Sequence, residues 1–150
     1  PAGAADEFVE LYNGCSAPIT LTNAKLIYRA AASATDSTTF ISALTVTIPN
    51  GTYALLASSA YSRGGTITMP TFNGGMSATG GGVQLRDSAG NGIDSVGWGS
   101  ATNAFLEGGT PAPAAPSATQ SLARVANGVD TNNNVMDFVL AATPTPGASN

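Results

Sequence analysis

The densest group of potential ligands in the chain is the oxygen-rich run Asp130-Thr131-Asn132-Asn133-Asn134, followed by Asp137. Oxygen side chains at 130, 132 and 134 alternate along a compact turn, and a hard cation such as calcium collects several such oxygens at once. The candidate calcium ligands are therefore Asp130, Asn132, Asn134 and Asp137. The run is not an EF-hand, because Val135 stands at the sixth position, where a Gly makes the sharp turn, and no Glu stands at the twelfth. The competing reading is an ion-free turn in which Asn and Asp side chains bond to their own backbone. A second chemistry open to carboxylates is glycoside hydrolysis by an acidic pair. The candidates are Glu7, Glu10, Asp87, Asp94 and Glu107. Glu7 and Glu10 are three apart, which places them on opposite faces of one strand. Asp87 and Asp94 flank a hairpin turn and can approach each other. Their alternative is to be solvated or turn-bonded.

Other catalytic chemistry is short of residues. There is no histidine, which removes Ser-His-Asp and Cys-His catalysis and every His-ligated metal site. The one cysteine, Cys15, permits neither an intrachain disulfide nor a thiolate zinc site within one chain. A free cysteine packs as a small apolar side chain, so Cys15 is expected to be partly buried near a turn. Ser95 and Ser121 have no evident base. Gly64-Gly65 and Gly80-Gly81-Gly82 are followed by neither Lys-Ser nor Lys-Thr, so they read as turns or strand entries rather than phosphate loops. The expectation is a non-enzymatic protein whose one cofactor candidate is calcium.

Charge restricts the partners. Charged residues make up 9% of the chain and the net charge is −4, against roughly 25% charged residues in an ordinary soluble domain. The basic residues, Lys25, Arg29, Arg63, Arg86 and Arg124, are scattered. Nucleic-acid binding needs several phosphates neutralised together, so none is expected. No apolar stretch approaches the roughly 20 residues of a membrane helix. The chain opens at Pro1 without a basic or apolar leader, as a mature product or an excised piece does. Few charges and many small polar residues fit an extracellular or cell-surface location. Asn50-Gly51-Thr52 fits a glycosylation sequon and, equally, a tight turn.

The elements that must position these residues are strands. Leu44-Thr45-Val46-Thr47-Ile48 and Val83-Gln84-Leu85-Arg86 alternate with period two, and Glu7 to Tyr12 puts Val9 and Leu11 on one face. Further strands are expected at Lys25 to Arg29, Tyr53 to Ser58, Thr66 to Met69, Ile93 to Trp98, Ser121 to Val125 and Asp137 to Ala141. Asn-Gly occurs five times, at 13, 50, 73, 91 and 127, and marks tight turns because both residues tolerate positive φ. No segment holds a 3.6-residue period. Thr110 to Pro116 and Thr143 to Gly147 read as extended, Pro-rich loops. Many short strands with regular turn signals give an all-β sandwich or barrel in a single domain, 1–150.

Asp6-Glu7-Phe8-Val9-Glu10-Leu11-Tyr12-Asn13 resembles the "EFVELYN" strand of the lamin-tail domain. The pair Ala17 to Leu21 and Ala24 to Arg29 is similar to its next two strands, with Asn23-Ala24 where most members have Gly-Trp. Gly81 to Asp87 and Ile93 to Gly99 are similar to its late hairpin. Ser121 to Arg124, Asp130 to Asn134, Asp137-Phe138 and Thr145 to Asn150 resemble the ending of bacterial members. The resemblance implies an immunoglobulin-like antiparallel β-sandwich. Members open with one further strand before "EFVELYN", for which Pro1 to Ala5 leaves no room, so the resemblance implies a sandwich lacking its first strand within this chain. The expected function is that of an extracellular structural or assembly protein, a filament or surface-layer subunit completed by strand exchange with a neighbour. The expected partner is a second copy or another extracellular protein. The alternative is an accessory binding module of a larger secreted protein such as a nuclease.

Overall fold

A computed structural model describes residues 4–114 and 119–150. A 3-10 turn at Ala4–Asp6 leads into β1 (Phe8–Tyr12), β2 (Ile19–Ala30), β3 (Thr38–Ile48), β4 (Tyr53–Ala57), β5 (Gly80–Arg86), β6 (Gly92–Gly99), β7 (Ser121–Arg124), the helical turn α1 (Asn134–Asp137) and β8 (Phe138–Ala141). Every ladder between these strands is antiparallel. One layer is the four-stranded sheet β3-β2-β5-β6, and the other contains the pair β1-β4 and the hairpin β7-β8.

Both layers supply one core. Ala24, Leu26 and Tyr28 of β2, Ile41 and Leu44 of β3, Val83 and Leu85 of β5 and Trp98 of β6 meet Leu56 of β4, and Val9, Leu11, Leu122 and Phe138 pack against them. Alternation sends the residues of β2 and those of β5 to the same side, and on β3 a register shift between the pairs Ala24–Leu44 and Leu26–Ile41 brings Ile41 and Leu44, three apart, to that side as well. An aromatic row closes one end. Tyr28 stacks on Phe40 at 5.6 Å between ring centres, Phe40 on Phe72 at 4.6 Å, and Tyr28 lies 6.2 Å from Trp98. The Trp98 indole N–H donates to the Ser77 carbonyl and the Ser77 N–H donates to the Tyr28 hydroxyl, so the polar tips are satisfied.

The outer face of the larger sheet is also covered. Phe105, fully buried, lies against Gly82, whose missing Cβ would stand 2.9 Å from both the Phe105 Cβ and the Asn103 Oδ1. Arg29 sits over the Phe105 ring at 4.5 Å and Arg86 at 5.4 Å, and Asp36 binds both arginines.

Three expectations are corrected. The two strands expected over Ala17 to Leu21 and Ala24 to Arg29 are one, β2, which begins at Ile19. Asn23, at φ 52°, absorbs the slip in register against β3, and its N–H donates to Thr45 Oγ1. Thr66 to Met69 is not a strand. It touches β4 through an isolated bridge, Leu55 to Ile67, and Pro70 behind it has no N–H to extend a ladder. Cys15 is exposed, because Asn13 fills the interior of that turn. The Asn13 amide donates to the carbonyls of Ala17 and Ile48, and its Oδ1 accepts the Cys15 N–H. The Pro-rich loop expected at Thr110 to Pro116 is described only as far as residue 114, where Ala112 bridges Trp98, and the rest lies outside the described residues.

Candidate functional site

The loop from 130 to 137 folds inward. Asn134 is 0% exposed at the start of α1. Its Oδ1 accepts the N–H groups of Gly97 at 2.8 Å and Glu107 at 2.9 Å, and its Nδ2 donates to the Ser95 carbonyl at 3.3 Å and Glu107 Oε2 at 3.1 Å. All four hydrogen-bonding positions of the amide are used. The side chain thus lies along the outer edge of β6 and takes the place of a neighbouring strand there. Asp137 is 4% exposed, and its carboxylate accepts the Thr131 N–H and hydroxyl and the Asn133 N–H. Burial opposes its charge, but these hydrogen bonds and nearby Arg124 outweigh burial and hold its carboxyl below the ordinary value. Asp130 and Asn132 are exposed, and the Asn132 N–H donates to Asp130 Oδ1. Of the four candidate calcium ligands, the fold turns two outward and two inward.

Asp130 instead meets Asp94 and Glu107, with one carboxylate oxygen of each within 4.8 Å of the others. Burial raises the Glu107 carboxyl above its ordinary value, and Asp94 and Asp130 raise it further, against the hydrogen bond from Ser95. Arg124 of β7 answers this negative charge. It grips Asp94 with two bonds of 3.0 and 2.9 Å, reaches Asp130 at 3.5 Å and Asp137 at 3.6 Å, and lies over the Phe138 ring at 4.6 Å. The three acids come from distant segments, so no local sequence signal marks them. Chemically the cluster is a brace joining β6, β7 and the loop 130–137, and a divalent cation bound there would share its carboxylates with a guanidinium.

The other candidate acids are dispersed. Glu7 accepts the Met76 N–H and Glu10 the Gly147 N–H, and burial raises both carboxyls against those bonds. Asp87 binds the N–H and amide of Asn91 within its own turn, which holds its carboxyl below the ordinary range. The hairpin therefore does not bring Asp87 to Asp94, which faces Arg124.

A second feature lies on β1. The bonds from Ser58 N–H to Glu7 O and from Asn13 N–H to Thr52 O fix the phase of the β1-β4 ladder. Odd-numbered backbone groups of β1 face β4, and those of Phe8, Glu10 and Tyr12 face away. Among the described residues no strand pairs with that second edge. The hairpin β7-β8 has the same property. Val125 N–H donates to Asp137 O, so the backbone groups of Leu122 and Arg124 face away from β8, and there the Arg124 carbonyl accepts the Asn150 amide at 3.5 Å. The two open strands run in the same direction. Arg63, which pairs with Asp6 just before β1, shares a cleft of about 410 Å³ with Thr119, just before β7. At the far end Gly128, just past β7, would press a Cβ to 3.1 Å from the Tyr12 ring.

Two antiparallel layers closed on one core make this an immunoglobulin-like β-sandwich. The Lamin Tail Domain family model matches residues 1–100, and the chain belongs to that family. The match runs from β1 through β6 and stops before Glu107, Arg124 and the loop 130–137. No curated protein and no solved structure matches the chain.

Proposed function

We propose that this domain is a non-enzymatic structural or assembly module of the cell exterior, a filament or surface-layer subunit completed by an extended strand from a neighbouring copy. The observation that carries the reading is the second edge of β1, on which the backbone groups of Phe8, Glu10 and Tyr12 meet no partner strand among the described residues. An uncovered edge is a template for pairing with another chain. A strand running opposite to β1 would pair with its free edge in an antiparallel ladder. Its alternate side chains would join Val9, Leu11 and Leu122, so its sequence should be apolar at every second position. The ion-paired arginines 29, 86 and 124 fit a protein that does not bind nucleic acid. The cation this reading admits is calcium, at the loop 130–137.

The test is Glu10→Pro. The Glu10 N–H lies on the open edge, and an edge strand tolerates proline on its outward side. The variant should keep the far-ultraviolet circular dichroism of the parent and lose the oligomers seen by size-exclusion chromatography and electron microscopy. Leu11→Pro, on the β4 side, should unfold the pair. A parent protein that stays a compact monomer at every concentration overturns the assembly role. A catalytic domain in the same reading frame would favour an accessory module instead.

A further inference from the structure

Five Asn-Gly pairs share the local sequence that favours attack of the glycine nitrogen on the asparagine side chain, yet the fold treats them differently. Attack requires the Asn side chain to swing over the following backbone and that nitrogen to be accessible, so hydrogen bonds that hold either group oppose it. Asn13 is 2% exposed with its amide held by three bonds. Asn50 donates to the Cys15 carbonyl, and the Gly51 N–H donates to Asn13 O at 2.8 Å. Asn91 is tied through its N–H and its amide to Asp87, whose negative charge opposes the oxyanion formed on attack. Asn127 donates to the Tyr53 hydroxyl and to Ser149 Oγ, and accepts from Asn150.

Asn73 is the exception. It is exposed, as is Gly74, and among the described residues the Gly74 N–H donates to no acceptor. Among the described residues the single bond on its side chain is from Ser59 Oγ to Asn73 Oδ1, at 2.6 Å. That bond leaves the amide nitrogen free to depart. It also polarises the carbonyl and stabilises the oxygen on which charge develops, as a donor in an oxyanion hole does.

We propose that Asn73-Gly74 is a site of self-modification, at which Asn73 converts to isoaspartate ahead of the other four pairs, assisted by the Ser59 hydroxyl. The Gly74 nitrogen loses its proton to solvent base and bonds to Asn73 Cγ. The Cγ–Nδ2 bond breaks and ammonia leaves with a proton from solvent. Water then opens the cyclic imide at either carbonyl, giving isoaspartate or aspartate. The sum is Asn plus water giving a carboxylic acid plus ammonia, with no oxidant or reductant. The product places a carboxylate beside Ser59. Its isoaspartyl form adds one backbone carbon to the loop that lies on the aromatic row, where a Gly74 Cβ would stand 3.0 Å from Phe40.

The experiment is incubation of the folded protein at mildly alkaline pH, with isoaspartate at each of the five sites followed by peptide mapping and isoaspartyl methyltransferase labelling. Asn73 should convert first, and Asn13 more than about tenfold slower, because three hydrogen bonds must open before it can react. Ser59→Ala should slow Asn73 about fivefold, the factor one ordinary hydrogen bond contributes, and leave the other four unchanged. In denaturant the five rates should converge. Conversion of another pair ahead of Asn73 in the folded protein, or the same ranking in denaturant, overturns the site. An unchanged or faster rate in Ser59→Ala overturns the part given to the hydroxyl.

Discussion

Replacing Asn134 with alanine separates a structural pin from a metal ligand. The substitution removes four hydrogen bonds at a side chain with no exposure. It strands the N–H groups of Gly97 and Glu107 and the Ser95 carbonyl along the edge of β6. A stranded buried polar group costs about 1–3 kcal/mol. Glu107 is only half-buried, so water can reach part of the gap, and a total near 3 kcal/mol is expected. At about 2–4 °C per kcal/mol for a domain of this size, the melting temperature should fall by roughly 6–12 °C. The assay is thermal and urea unfolding followed by Trp98 fluorescence, in calcium and in EDTA. The loss should be the same in both. Asn134→Asp sharpens the comparison. A carboxylate can still accept from Gly97 and Glu107, but it cannot donate to the Ser95 carbonyl and would face Glu107 Oε2. The pin therefore predicts that aspartate is nearly as damaging as alanine, whereas a calcium ligand would gain from the charge. A loss below about 1 kcal/mol, or one that appears only with calcium, refutes the reasoning.

Other consequences follow from the same geometry. Asp6, Asp36, Asp87 and Asp137 titrate below the ordinary 3.8, so their contribution is present above that pH and lost as pH falls below it. Glu7, Glu10 and Glu107 titrate above 4.5, so the folded state holds their protons more tightly and stability declines as pH rises past that value. Melting temperature should therefore peak at mildly acidic pH, and Glu7→Gln with Glu10→Gln should flatten the decline above the peak. Gly82→Ala forces a Cβ to 2.9 Å from Phe105 and Asn103, and chemical denaturation should show a loss of about 1–3 kcal/mol. Cys15, exposed beside the β1-β2 turn, should react with a thiol reagent in the native state as fast as in urea. Protection of the thiol would refute that placement.

The strands were legible because alternation is a local signal. Leu44 to Ile48 and Val83 to Arg86 each carry their own pattern, and both lie within strands at the expected phase. Pairing is not local. β1 joins β4, some 45 residues away, rather than β2 next to it, and nothing in Phe8 to Tyr12 specifies that choice. The loop 130–137 was legible as a compact oxygen-rich turn, but its orientation was not. Asn132 and Asn134 look alike in sequence, and what separates them is the edge of β6, where Gly97 and Ser95 present an N–H and a carbonyl for one amide to satisfy. The Asp94, Glu107 and Asp130 cluster depends on three segments meeting, and its counter-ion, Arg124, comes from a fourth. The exposure of Cys15 was missed because a free cysteine is more often buried, whereas Asn13 could fill the same turn with three hydrogen bonds.

The strand edges show why the open side of β1 stands out. The outer edge of β6 is covered by Ala112, which exchanges bonds with Gly97 and Gly99, and by the Asn134 amide. The outer edge of β4 receives the N–H groups of Thr68 and Phe72 from the segment beside it. β3 is irregular, with three register shifts against β2, and such bulges discourage further pairing. Proteins protect exposed edges with bulges, prolines, charges or covering segments. β1 has an unbroken register, no proline and a single charge, Glu10, whose side chain is held by Gly147. Among the described residues it is the longest regular edge left without a cover, β7 and β8 being four residues long with the Arg124 carbonyl of β7 accepting the Asn150 amide, and Val9 and Leu11 already hold its inner side against the core. Edges that are merely tolerated are blunted. An edge kept straight beside apolar surface is suited to receive a strand, which is why the assembly reading rests on β1 rather than on the acidic cluster, where Arg124 already supplies the positive charge.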